Sequence, residues 1–298
     1  MSKVIIGDSL DAKMSLWRYM SIDKFIDLLD NQRLFLTPLS YYQSTDPFEG
    51  HVPKVAFEAM MNIVLDRINV QEKEILELEK AFHERVGAGI HEASESDLDS
   101  IERAKNNIKS QREDLIPSFN KIVKSTGVNC WYNSESESEA MWKLYSDSGK
   151  GIAIKTSVAS LVEAICSCEQ TLPLRLGKIK YLDFLSDTLK PQDCITDGDI
   201  SPLLKRNEFQ HENEVRLYSV PQIHASDWES YELQPMMVDI DITKLIEKVY
   251  ISPYVGEPFT SSVNTVCRLF NIPKSIVCKS ELLKDYEKML SGFVSVET

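Results

Sequence analysis

The chain has 298 residues, enough for one or two domains and for a core that needs no staple. With 43% hydrophobic and 27% charged residues, a disordered or fibrous chain is excluded. Lys and Arg total 33 against 46 Asp and Glu, a formal charge of −13. A duplex-binding surface spread over the whole protein is disfavoured, while a local basic groove stays open.

Residues 14–50 read as strand, helix, strand, loop. Leu16-Trp-Arg-Tyr-Met20 is a short β-preferring run. Ser21 stands at an N-cap position, and Phe25, Ile26, Leu28 and Leu29 give a helical face ending at Asn31. Leu34-Phe-Leu-Thr37 is a second strand stopped by Pro38, and Ser44 to Gly50 is rich in turn residues.

From about 54 to 125 the pattern is helical. Ile75, Leu78, Phe82 and Val86 keep one face, and Leu98, Ile101, Ile108 and Leu115 another. Gly87-Ala-Gly89 and an acidic stretch separate them, so a helical hairpin inserted into an α+β body is expected. His83-Glu84 invites a zinc-protease reading, but the position four after His83 is Gly87, and the motif fails.

Mixed structure returns after 126. Strands are expected at 128–132, 151–156, 175–182 and 214–218, with helices at 140–146 and 158–166 and a helical turn over 201–206. The last region supplies strands near 236–240, 248–251 and 276, a helix over about 258–270, and a charged tail helix. There is no internal repeat and no long Gly/Ser or Pro linker. A single elaborated domain, 1–298, is the expected organisation.

The six cysteines form no Cys-x-x-Cys pair, and all are read as small, mostly buried hydrophobes in a reducing compartment. Val4-Ile-Ile6 is far too short for a signal peptide, and no stretch approaches about 18 apolar residues. A cytoplasmic protein without membrane contact is expected.

Three constellations can carry chemistry. Alternation places Leu16, Arg18 and Met20 on one strand face and Trp17 and Tyr19 on the other. A charge there needs a carboxylate partner or a ligand anion, and a guanidinium suits a phosphate or ribose. In Glu208 to Tyr218, a strand places Glu212, Glu214 and Arg216 on one face and Val215 and Leu217 in the core. Two carboxylates about 7 Å apart beside an Arg can hold a sugar hydroxyl and stabilise developing positive charge, or form a solvated edge. Trp131, Trp142 and Tyr145 flank the polar loop Asn133 to Glu139, as core packing or as a platform for a base. No Gly-x-x-x-x-Gly-Lys-Ser/Thr and no Gly-x-Gly-x-x-Gly occurs in the chain.

Leu16-Trp-Arg-Tyr-Met-Ser21, Thr45-Asp-Pro-Phe-Glu49, Met141-Trp-Lys-Leu-Tyr145, Gly151-Ile-Ala-Ile154 and Glu212-Asn-Glu-Val-Arg216 occur in this order. Over residues 16 to about 220 the order resembles a bacterial family catalogued as a domain of unknown function. The opening strand–helix–strand unit and the Glu212-x-Glu214 pair are also similar to ADP-ribosyltransferases. That resemblance implies small twisted mixed sheets around a cleft, with the Arg18 and Glu214 strands side by side. It implies NAD as substrate with no metal. Arg18 would orient NAD, Glu214 bind the nicotinamide ribose and Glu212 engage an acceptor, protein or nucleic acid. Tyr19, Tyr41, Tyr42, Trp142 and Tyr145 are the candidate ring-contacting residues. The Ser-Thr-Ser triplet of that superfamily is missing; Lys155-Thr-Ser157 stands nearest.

The expected function is therefore an NAD-dependent ADP-ribosyltransferase or NAD glycohydrolase, as a toxin or phage-defence effector. Two alternatives stand beside it. One is a metal-dependent nuclease or phosphohydrolase in which Asp46, Glu49, Glu212 and Glu214 hold Mg²⁺, with Arg18 and Lys150 on the phosphate. The other is a non-catalytic module that binds a regulatory partner through the 54–125 hairpin.

Overall fold

A computed structural model describes residues 4–92, 94–220 and 236–284. The order of elements is β1 (Ile5–Ile6), β2 (Ser15–Ser21), α1 (Ile22–Asn31), β3 (Arg33–Pro38), α2 (Lys54–Gly87), α3 (Glu95–Glu113) and α4 (Leu115–Ser125). Then come β4 (Gly127–Asn133), α5 (Glu139–Tyr145), β5 (Gly151–Ser157), α6 (Val158–Cys166), β6 (Arg175–Lys178), β7 (Lys180–Leu182) and β8 (Leu204–Arg206). The chain continues through β9 (Glu214–Ser219), β10 (Met236–Asp239), α7 (Ile242–Leu245), β11 (Lys248–Ile251), α8 (Phe259–Leu269) and β12 (Val277–Lys279). This is an α+β fold on a mixed sheet. The charged tail expected after 284 lies outside the described residues.

Ten strands form the main sheet, with the path β1-β6-β9-β4-β2-β5-β11-β12 and a branch in which β3 joins β4 and carries β10. β7 and β8 make a separate parallel ribbon. Most pairs are antiparallel, and β1/β6 and β11/β12 are parallel. The alternation read in β2 holds: Leu16 and Met20 enter the main core against α1 and α6, while Trp17 and Tyr19 pack on the opposite face with Met141 and Trp142. In α1, Phe25, Leu28 and Leu29 are buried. Ile26, placed on that face by the spacing, is half exposed. The expected strand over 175–182 is two strands, because Ile179 turns aside into a small cluster with Leu203 and Tyr218.

The branch has a simple geometric origin. β2 pairs with β4 only through Leu16–Asn133 and Trp17–Tyr132, and β3 only through Thr37–Val128 and Pro38–Gly127. Both strands run antiparallel to the same edge of β4, so they are parallel to each other and compete for one stretch of it. Neither takes it. The edge of β4 from Asn129 to Trp131 is left without a strand partner, and β2 and β3 diverge into a V whose far ends α1 connects.

The 54–125 insertion is the expected hairpin. Ile68 and Ile108 are buried between its arms, and Arg112–Glu72 (2.5 Å) and Lys105–Glu79 (2.5 Å) tie them across. Leu78 and Leu98, assigned to the inner stripes, are exposed; the real stripe on α2 passes through Glu79 instead. At its root, Val52 and Ala56 pack with Phe184, Cys194 and Leu204 of the body, and Phe57 meets Phe119 edge to face at 5.4 Å. Among the described residues no cysteine forms a disulfide, and Cys166 and Cys278 are exposed rather than buried. Among the described residues, no helix is long and apolar enough to cross a membrane.

Candidate functional site

The V opens a cavity of about 820 Å³, within the range of small-molecule sites. Its floor is the unpaired edge of β4, its walls are β2 and β3, and α1 closes the far end. Trp17 is level with Tyr132, and Tyr132 with Glu214, so Glu214 shares a face with Trp17 and Arg18 starts from the other. β4 lies between the strands of Arg18 and Glu214, which are not neighbours as expected. The gap in the sheet nevertheless lets both line one cavity.

On the α1 side, Arg18 stands with its guanidinium 5.7 Å from the centre of the Trp131 ring. No described carboxylate pairs with it, which removes the structural ion pair considered for this residue. The residue as a whole is only partly buried, yet Nη1 is sealed from solvent and has no hydrogen-bond partner. Burial lowers its affinity for its proton, and the nearby Tyr42 and Cys130 act in the other direction. Beside it, Asn129 Oδ1 and Trp131 Nε1 are also buried and unpartnered; Asn129 spends its amide on the Phe35 carbonyl at 2.9 Å. Native interiors leave few such groups unsatisfied, so three together, one on the β2 wall and two on the β4 floor, mark a place for a polar ligand.

On the other side, charge is concentrated and paired. Arg216 donates from Nε to Glu214 Oε2 at 2.8 Å, and from Nη1 to Glu49 Oε1 at 2.7 Å and the Pro202 carbonyl at 3.1 Å. Lys205 donates from Nζ to Glu214 Oε1 at 2.6 Å, pairs with Glu212, and stands 3.5 Å from Glu49. Asp46 accepts from Arg206 at 2.7 Å, and the Arg206 guanidinium lies 4.8 Å from the Phe48 ring. The Asp46-Pro-Phe-Glu49 segment is thereby stapled to β8 and β9. Gly50 ends it at φ 78°, where a Cβ would meet Val123 at 2.7 Å.

Glu212 is not on a strand. It closes a 3-10 turn (Asn207–Glu212), and Asn213, at φ 35°, reverses the chain into β9. The turn folds the Glu212 carboxyl back beside that of Glu214, closer than alternate strand positions allow. Burial first, then the hydrogen bond and charge of Glu214, push the Glu212 carboxyl up to about 8. Burial would raise Glu214 too, but Arg216, the Glu212 hydrogen bond and Lys205 overcome it and hold Glu214 well below the usual carboxylate range. Two adjacent carboxyls are thus driven apart, the usual preparation for separate acid and base roles.

The aromatic candidates divide. Tyr42 lines the cavity, its phenol pushed up to about 12 by burial, and Tyr145 stands half exposed at the rim beside Glu212. Tyr41 is exposed outside the cavity. Trp142 is fully buried, edge-on to Tyr19 at 4.9 Å and donating to Glu137 at 3.0 Å, so it is core. The Tyr19 hydroxyl accepts from the Ser138 N–H at 2.9 Å, and its ring belongs to the same core cluster although the residue borders the cavity. Lys150 sits in an exposed turn away from the site.

Lys205 and Asn129 were not among the site residues that the sequence offered; Trp131 appeared only as a possible stacking platform, and Arg216 only as a neighbour of Glu214. The signal for Lys205 was present in Lys205-Arg206, a cationic pair shortly before two glutamates. Comparison of the chain with protein-family models, with curated proteins and with solved structures returns no match.

Proposed function

We propose that the cavity binds NAD and that the protein cleaves its nicotinamide–ribose bond, as an ADP-ribosyltransferase or NAD glycohydrolase. The observation that carries this reading is the unpaired, sealed Arg18 guanidinium sharing one cavity with a buried anionic glutamate. An anionic pyrophosphate oxygen or a ribose oxygen satisfies Arg18, and the orphaned Asn129 Oδ1 accepts from, and Trp131 Nε1 donates to, polar groups of the same ligand. A carboxylate has about four lone-pair positions, so Glu214, holding Lys205, Arg216 and the Glu212 carboxyl, keeps one for a ribose hydroxyl.

In the reaction the C1′–N bond breaks and its electron pair leaves with nicotinamide. Glu214 stabilises the ribosyl cation through the hydroxyl it binds. Water or an acceptor then forms the new bond at C1′, and its proton passes to Glu212 in its ionised form; a carboxyl near 8 is matched to that transfer. The metal-dependent reading is less favoured, because Glu49, Glu212 and Glu214 converge on Lys205 and Arg216, and Asp46 on Arg206.

The test is nicotinamide release and calorimetric NAD binding with EDTA present. Wild type should do both. Arg18→Gln should bind NAD about 10- to 100-fold more weakly, the loss of one hydrogen bond to a charged group. Neither binding nor release by wild type would end this reading.

A further inference from the structure

Two carboxylates pressed together in a buried site cannot both ionise unless a cation holds them. Arg216 does not serve the pair, because its donors are committed to Glu214, Glu49 and the Pro202 carbonyl and none reaches Glu212. Among the described residues, the cation touching both Glu212 and Glu214 is Lys205. It comes from outside the main sheet, from the middle of β8, opposite Tyr181 on β7. Its side chain is 8% exposed, and its ammonium lies 4.8 Å from the Phe209 ring, within the turn that carries Glu212. The Tyr181 hydroxyl accepts from the Glu214 N–H at 2.9 Å, so the β7–β8 ribbon is docked on Glu214 at two points.

We propose that Lys205 is a positioning residue, which gathers Glu212 and Glu214 on one ammonium so that Glu214 meets substrate as the anion and Glu212 holds the proton they share. The charges of the cluster support this. Glu49, Glu214, Lys205 and Arg216 balance when Glu212 is protonated; Asp46 is paired with Arg206 beside them, and Arg18 stands on the other side of the cavity. Further titratable groups facing the pair are Tyr132, level with Glu214 on β4, and Cys130 on β4, Tyr145 on α5 and Tyr181 on β7; the last three are pushed upward by burial and therefore neutral. Removing the Lys205 charge leaves three carboxylates around Arg216, and the proton then stays on the pair to higher pH.

The inference rests on the NAD reading for its kinetic arm alone. The experiment compares wild type, Lys205→Met and Lys205→Arg by carboxyl ¹³C NMR titration of the glutamates and by the pH profile of nicotinamide release. Lys205→Met should move the ionisation of the pair, and with it the acid limb of kcat, upward by more than about one pH unit. kcat near neutral pH should fall at least about tenfold and recover at higher pH, with KM for NAD changed less than about threefold. Lys205→Arg should restore the wild-type profile. Should Lys205→Met fail to fold, Glu49→Gln tests the same point with opposite sign, since losing a neighbouring negative charge moves the titration downward. A folded Lys205→Met with unmoved titration and unmoved acid limb overturns the proposal, as does an unmoved titration in Glu49→Gln. If wild type releases no nicotinamide, the enzymatic reading fails, and the carboxyl titration still decides the role of Lys205.

Discussion

On the proposed reaction Glu214 has two tasks that a single substitution cannot separate cleanly. A carboxylate acting on a ribosyl cation works mainly in the transition state, so Glu214→Gln should lower nicotinamide release by about 10²- to 10³-fold and leave NAD affinity nearly unchanged. The same carboxylate neutralises Lys205 and Arg216 in a buried site, and breaking such a network by removing one partner costs about 3–5 kcal/mol. Ionisation of Glu212 offsets part of that cost. The measurement is therefore turnover normalised to folded protein, with the denaturation midpoint recorded alongside. Wild-type turnover in folded Glu214→Gln would show that the glutamate serves structure alone. Much of this residue chemistry was legible: Glu214 and Arg216 share a face, and Val215 and Leu217 are core. What was hidden is that Glu212 lies on a turn, because a left-handed Asn213 between two glutamates has no periodic signature.

Among elements, the decisive one is the strand–helix–strand of β2, α1 and β3. Its pieces could be read from apolar spacing and from the stops at Asn31 and Pro38. The V could not, because it arises from two strands competing for one edge of β4, more than 90 residues further along the chain. The hairpin shows the opposite balance. Its helices follow from local periodicity, and no described residue of 54–125 borders the cavity. Replacing 58–118 by a short Gly-Ser bridge should therefore leave nicotinamide release within about threefold of wild type. That excision keeps Ala56 and Phe57 at the root while removing both long arms. Complete loss of release in a variant that still melts cooperatively would place the hairpin in the chemistry.

For the molecule as a whole, the glutamate pair sets a pH dependence of stability. Glu212 has a carboxyl near 8 in the folded state and about 4.3 in the unfolded chain. Its contribution is complete below about 4.3 and is lost as pH rises through 8, with a slope of at most about 1.4 kcal/mol per pH unit. Glu214, held low, works in reverse: its contribution is present above about 4.3 and is lost only as the pH falls below that. Wild type should thus lose Tm steadily between pH 5 and pH 8, and Glu212→Gln should flatten that decline. Scanning calorimetry of the two proteins across that range checks it, and parallel curves would refute the assignment.

The staple between Glu49 and Arg216 spans 167 residues. At usual rates of synthesis, about 5–20 residues per second, a ribosome needs on the order of 10 to 30 s to cross that interval. During that time α2, α3 and α4 can coil from contacts within their own stretch, while Glu49 has neither of its cations. Arg18 emerges early and Glu214 late, so no nascent chain short of β9 holds both. On the proposed function, NAD cleavage would in this way be withheld until most of the polypeptide has left the ribosome. The fold would then time the onset of the proposed chemistry, because its two halves meet only when β9 has been made.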